Sequence, residues 1–217
     1  MKNSFRIVVT GSKSILTRGF VIMLNTLGHI ASEISVIELQ SAFFEAPNLP
    51  QLILIATTKS ERHEIETKLL KRLYPDIPVI IIILDEDIKD VIRGIKAGVH
   101  GYVLATIEPP QLDKAIQIVA GSHDFFFDLT NETLIYSDKK DINNPVKKMA
   151  AMNLPAKGQE FLRLLTTELS YEEIAQKMKL ASRTVQGYKE NISSVLKIKS
   201  RVGLVLFATK NNLFDPG

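Results

Sequence analysis

Arg183, Gln186, Gly187 and Glu190 stand at i, i+3, i+4 and i+7 in the segment SRTVQGYKENISSVL, which begins at Ser182. Arginine donates in a fork, glutamine both donates and accepts, and glutamate only accepts; these are the groups that read base edges in a duplex major groove. At 100° per residue these four, with Ser194, point away from a stripe of Val185, Tyr188, Ile192 and Val195 that must face a core. Lys189 falls at the edge of that stripe, where phosphates would run. Gln186 suits a bidentate contact to adenine, and Glu190 suits a cytosine amino group provided it stays clear of the backbone phosphates. Gly187 costs a helix roughly 1 kcal/mol relative to Ala but lets the backbone come close to a base pair.

A helix with such a face needs a second one to hold it. Ser170-Tyr-Glu-Glu173 is an S-x-x-E capping box and predicts where the preceding helix starts. Ile174, Ala175 and Met178 then face inward, and Leu180 packs the turn before a helix over 182–196. Helix, tight turn and helix together fit a duplex groove. Residues 153–217 read as one all-helical domain. Before it, 138–152 turns polar in Asp138-Lys-Lys-Asp-Ile-Asn-Asn-Pro145 and reads as a linker.

Other chemistry is thin. The chain has no cysteine, which excludes disulfides, thiolate nucleophiles and Cys-based zinc sites and agrees with a cytoplasmic setting. His29, His63, His100 and His123 have neither metal-ligand spacing nor a nucleophile partner. No metal, cofactor or enzymatic activity is expected. Thr10-Gly-Ser-Lys-Ser14 lacks the spacing of a phosphate-binding loop, although Lys13 at a strand-to-helix turn could serve a small anion. The phenylalanine run at 125–127 reads as strand or packing.

Residues 1–137 alternate strands, at 6–10, 32–37, 52–57, 79–84 and 101–104, with helices at 14–27, 61–73, 88–97 and 110–120. That order implies βαβ units and a parallel sheet covered on both faces. Leu16, Phe20, Met23 and Leu27 form the predicted inner face of the first helix, while Ile15, Ile22 and Ile118 lie outside the core stripes. The apolar run at 79–84 is far shorter than the ~20 residues that span a bilayer, so no membrane partner is expected. Net charge is +3, divided as −1 over the first 150 residues and +4 over the remainder. A basic rear half suits nucleic acid.

The segment 154–213 resembles the DNA-binding domain of LuxR/NarL-type bacterial transcription regulators, through Glu160-Phe-Leu-Arg-Leu-Leu165, Leu169-Ser170, Glu173-Ile-Ala175, Thr184-Val185, Asn191-Ile192, Leu196 and Lys199-Ser-Arg201. The resemblance implies a four-helix domain whose third helix reads the major groove. Its fourth helix would be free to dimerise through Val202, Val205, Leu206 and Thr209. Ala181 stands where a serine usually caps the recognition helix, so Ser182 or Thr184 must compensate or about 1 kcal/mol of capping is lost. Arg183, Gln186, Gly187 and Glu190 are the candidates for base readout, and Ser182, Thr184, Lys189, Lys199 and Arg201 for phosphate contacts.

The front half resembles the phosphoacceptor receiver domain of two-component response regulators. The resemblance rests on Arg6-Ile-Val-Val, Pro75-Asp-Ile-Pro-Val-Ile80, Ala97-Gly-Val-His-Gly-Tyr-Val-Leu104 and Pro109-Pro-Gln-Leu-Asp-Lys-Ala-Ile116. It implies a flavodoxin-like (βα)5 domain, with an acidic pair, a phosphoacceptor aspartate, a hydroxyl and a lysine at the strand ends. Here those positions read Gly11 and Ser12, Ala56, Ile83 and Ala105, none of which supplies a carboxylate to hold Mg²⁺ or to form an acyl phosphate. The expectation is an α/β flavodoxin-like pseudo-receiver followed by an all-α helix-turn-helix domain. Such a protein would be a transcription regulator that binds double-stranded DNA, as a homodimer, without aspartyl phosphorylation. The alternative is a partner-controlled adaptor or a small-molecule-sensing pseudo-receiver whose helical domain serves assembly.

Overall fold

The structure, a computed structural model, describes residues 3–11, 14–41, 49–57, 60–85, 87–129 and 132–213. Packing divides the chain into two units, residues 1–86 with 97–135 and residues 87–96 with 136–217. Among the described residues no helix is long and apolar enough to cross a membrane.

The first unit is organised by strands that are apolar on both faces. β1 (Arg6–Gly11), β2 (Ile30–Glu33), β3 (Leu52–Ala56), β4 (Val79–Ile83) and β5 (Gly101–Leu104) lie in the order β2-β1-β3-β4-β5, every pair parallel. All residues of β3 and β4 are buried, as parallel strands between two helical layers must be. Helices α1 (Ile15–Thr26), α2 (Val36–Ser41), α3 (Ser60–Leu73) and α5 (Pro109–Ser122) alternate with them. This is the flavodoxin-like arrangement expected from the pattern of runs.

Three details differ from expectation. The sheet continues past five strands: β6 (Phe125–Leu129) pairs parallel with β5, and β7 (Glu132–Tyr136) follows it, making seven. Phe125, Phe126 and Phe127 are all buried there, so the phenylalanine run is a core strand. The strand expected over 32–37 ends at Glu33, because Ser35 and Glu38 form a second capping box that starts α2. The Ser35 hydroxyl accepts from the Glu38 N–H at 3.2 Å, and the Glu38 carboxylate accepts from the Ser35 N–H at 2.8 Å. On α1 the buried row is Thr17, Phe20 and Leu24; Leu16 and Met23 flank it half-buried.

In the second unit α4 (Ile88–Ala97) joins a single π-helical turn (Asp138–Ile142) and α6 (Pro145–Met152), α7 (Ala156–Leu165), α8 (Tyr171–Met178), α9 (Ser182–Leu196) and α10 (Arg201–Lys210). Phe161, Leu165, Ile174, Val185, Ile192 and Phe207 lie at its core. Arg93 of α4 donates to both carboxylate oxygens of Glu168, at 2.9 and 2.6 Å. The stretch expected as a linker carries structure. Asn144 caps α6 by accepting from the Val146 and Lys147 N–H groups, Ala151 is buried, and Asn211 Nδ2 donates to the Ile142 carbonyl at 2.6 Å. Two buried apolar residues in a polar run leave no periodicity to read.

Candidate nucleic-acid interface

Helices α8 and α9 make the helix-turn-helix, and local bonds fix both of their ends. The Ser170 hydroxyl accepts from the Glu173 N–H at 3.2 Å, while Glu173 Oε2 accepts from the Ser170 N–H at 2.7 Å. These bonds from Ser170, the backbone one first, hold the Glu173 carboxyl below the usual range. α8 ends at Lys179, whose left-handed φ of 55° lets the Leu180 N–H donate back to the Ala175 carbonyl at 2.9 Å. α9 begins after Ala181 with no side-chain cap hydrogen bond. The missing serine is therefore not replaced.

The inner row of α9 is Val185, Ile192 and Leu196, with the Tyr188 ring stacked on Phe161 at 6.3 Å between centroids. Val195, expected in that row, is 44% exposed, and Leu196 takes its place. The core side of the helix is thus turned by one residue at its C-terminal end. Ser182, Arg183, Thr184, Gln186, Gly187, Glu190 and Ser194 are all exposed and form one continuous outer face. Gln186 Nε2 donates to Glu190 Oε1 at 3.0 Å across one helical turn. At Gly187 an added Cβ would meet nothing within 4 Å.

The cations divide into two kinds. Lys199 is exposed and, with Ser193, Ser194 and Lys197, lines a cleft of about 340 Å³ beside the end of α9. The Lys189 ammonium lies 5.6 Å from the centre of the Tyr171 ring, half-buried at the edge of the outer face. Arg201 is different. One guanidinium nitrogen donates to the carbonyls of Thr167 and Leu169, at 3.2 and 2.7 Å, and the group stacks 5.2 Å from the Tyr171 ring. Burial lowers the Arg201 pKa and raises that of the Tyr171 phenol. Arg201 thus clamps the turn between α7 and α8 from within, a structural role that its type and position did not suggest. A cation at the start of a helix does not reveal from sequence whether it faces water or carbonyls.

A second expectation is corrected on α10. Val202, Val205 and Leu206, proposed as a pairing face, are 4%, 0% and 0% exposed in the single chain. Within the unit the π-helical turn packs on α10, Tyr136 lies against Gly203, and its hydroxyl bonds to the Ser200 hydroxyl.

At the strand ends of the first unit, Gly11 (φ 138°) pairs with Ala56 across β1 and β3. Ala56 is 2% exposed and Ile83 6%, while Ala105 is half-buried. Ser12 and Lys13 lie outside the described residues. Close by, a mainly apolar cleft of about 480 Å³ is lined by Ile15, Leu16, Phe20, Met23, Ala105 and Ile107, with Glu108 at its margin. Two of the histidines are packing residues: His63 Nδ1 bonds to the Tyr102 hydroxyl at 3.3 Å, and His29 Nε2 meets Asp113 at 3.0 Å.

The first unit is thus a flavodoxin-like sheet, and the second carries an exposed helix-turn-helix face of the kind that DNA-binding regulators use. Residues 152–208 match the family model of bacterial regulatory proteins, luxR family, which spans α7 to α9 and most of α10. Over nearly the whole chain the protein is similar to the oxygen regulatory protein NreC of Staphylococcus carnosus, at 24% identity with 97% of this chain and 99% of that one covered. It is also similar to the response regulator protein VraR of Staphylococcus aureus, at 28% identity over 76% of this chain and 77% of that one. Among solved structures, the RcsB response regulator of Salmonella typhimurium aligns with a TM-score of 0.45 at 18% identity, covering 94% and 97% of the two chains.

Proposed function

We propose that this protein regulates transcription by sequence-specific DNA binding and that its receiver-like domain works without aspartyl phosphorylation. The observation that carries the second half is Gly11 seated on Ala56. Of the three positions where a receiver resemblance asks for carboxylates, Gly11 has only a hydrogen, Ala56 a buried methyl, and the third is a serine, Ser12. In the DNA-binding half, Arg183, Gln186, Gly187 and Glu190 meet base edges, while Ser182, Thr184, Lys189 and Lys199 contact phosphates and set the register. The protein acts as a homodimer, each copy reading one half-site. Ile15 and Ile22 on α1, 91% and 69% exposed, favour pairing through that helix, whereas Ile118 is half-buried against the core.

Incubation with acetyl phosphate and Mg²⁺, followed by intact-mass measurement and a gel shift on genomic fragments, tests this reading. The expected result is no added phosphoryl group and the same selectively retained fragments with or without the donor. Stable labelling at an aspartate would overturn it, as would retention of no fragment in preference to others.

One observation favours a second reading. The apolar cleft beside Ala105 is large enough for a small organic ligand, so the front unit could sense a metabolite rather than a kinase. Thermal-shift screening of metabolites addresses this, and uniformly flat melting curves would count against it.

A further inference from the structure

The outer face of α9 is unevenly supplied with donors. Arg183 sits at its N-terminal end, and seven residues on, near the middle, Glu190 offers only acceptors. Gln186 lies between them and donates its amide nitrogen to Glu190 Oε1 at 3.0 Å, so Glu190 is held by a neighbour on its own helix. All three side chains are exposed, and beside them Gly187 has no side chain and open space around it, leaving the helix backbone free to come close.

The major-groove edges differ in what they offer a fixed carboxylate. Guanine presents two acceptors, N7 and O6, and repels it. Thymine presents an acceptor and a methyl. Adenine has an amino group, but its N7 acceptor stands beside it and faces the second carboxylate oxygen. Cytosine alone offers an amino donor with no adjacent acceptor on the same base.

We propose that Glu190, positioned by Gln186, specifies a cytosine in each half-site, with Arg183 reading a guanine about three base steps away. The separation follows from seven residues at ~1.5 Å each against ~3.4 Å per base step. Gln186 acts here as a positioning residue, with its remaining amide groups free for the intervening pair. The proposal rests on the DNA-binding reading above and narrows it to a base.

The test is selection from a random duplex library by the full-length protein, with wild type, Glu190→Gln and Gln186→Ala run in parallel and folding checked by circular dichroism. Wild type should enrich a motif with an invariant cytosine. Glu190→Gln, similar in size but able to donate and accept, should shift that one position from cytosine toward adenine and lose roughly tenfold in discrimination. Gln186→Ala should relax the same cytosine as well as its neighbour, because the carboxylate has lost its tether. A motif lacking that cytosine, or one unchanged by Glu190→Gln, overturns the proposal and leaves the DNA-binding reading intact. Enrichment of no motif by folded wild-type protein overturns both.

Discussion

Gly11 lies against the Ala56 main chain so closely that a Cβ at Gly11 would stand far inside van der Waals contact distance of the Ala56 carbonyl oxygen and 3.0 Å from its carbon. The φ of 138° at Gly11 is one that L side chains rarely adopt. That close contact lies where a receiver resemblance asks for acidic side chains. Restoring carboxylates should therefore not restore chemistry. Ala56→Asp is expected to lower stability by roughly 1–3 kcal/mol, since it places a polar group at a 2% exposed position. Urea denaturation measures that loss, and intact mass after acetyl phosphate treatment should show no phosphorylation of the Gly11→Asp/Ala56→Asp double variant. Efficient phosphorylation of that variant would mean the strand ends open readily.

Helix α9 is less stable than it could be at two positions. Ala181 leaves its N-terminus without a side-chain cap, and Gly187 sits in its interior with open space around it. Ala181→Ser and Gly187→Ala should each raise stability by about 1 kcal/mol. Only Gly187→Ala should also weaken the specific DNA site, because its methyl occupies the space into which a base pair would come. Equal DNA affinity for the two variants would remove Gly187 from the readout surface.

Arg201 and the two lysines should separate cleanly in a salt titration. Arg201→Ala removes charged hydrogen bonds to the Thr167 and Leu169 carbonyls and should cost roughly 1.5–3 kcal/mol of stability, with the salt dependence of DNA binding unchanged. Lys189→Ala and Lys199→Ala should barely alter stability, yet each should reduce the slope of log K against log salt by about 1. If Arg201→Ala flattens the slope instead, the guanidinium leaves its clamp for a phosphate in the complex.

The α8 cap predicts a pH effect of definite sign. Hydrogen bonds from Ser170 depress the Glu173 carboxyl below its ordinary value, so the folded state binds that proton more weakly than the unfolded state. The stabilisation is complete above the ordinary glutamate range near ~4.3 and disappears as pH falls through the depressed folded value. Glu173→Gln keeps a capping side chain but not the charge. Its stability deficit in urea should be present at neutral pH and vanish in acid. A deficit that grows in acid would reverse the assignment.

Much of this architecture was legible in the chain itself. The Ser170–Glu173 box, the start of α9 at Ser182 and its exposed row of Arg183, Gln186 and Glu190 follow from capping chemistry and a 3.6-residue period, both of which are local. The strands β3 and β4 announce themselves as continuous apolar runs for the same reason. What lay beyond reach was the partner of each surface. Periodicity marks Val202, Val205 and Leu206 as needing cover, but not whether this chain or a second copy supplies it. It cannot show that Arg201 turns toward two carbonyls, that the phenylalanine run adds a strand beside β5, or that Gly11 and Ala56 close on each other. Such pairings join residues distant in sequence, and only the folded chain decides them, because burial and hydrogen bonding depend on which surfaces finally meet.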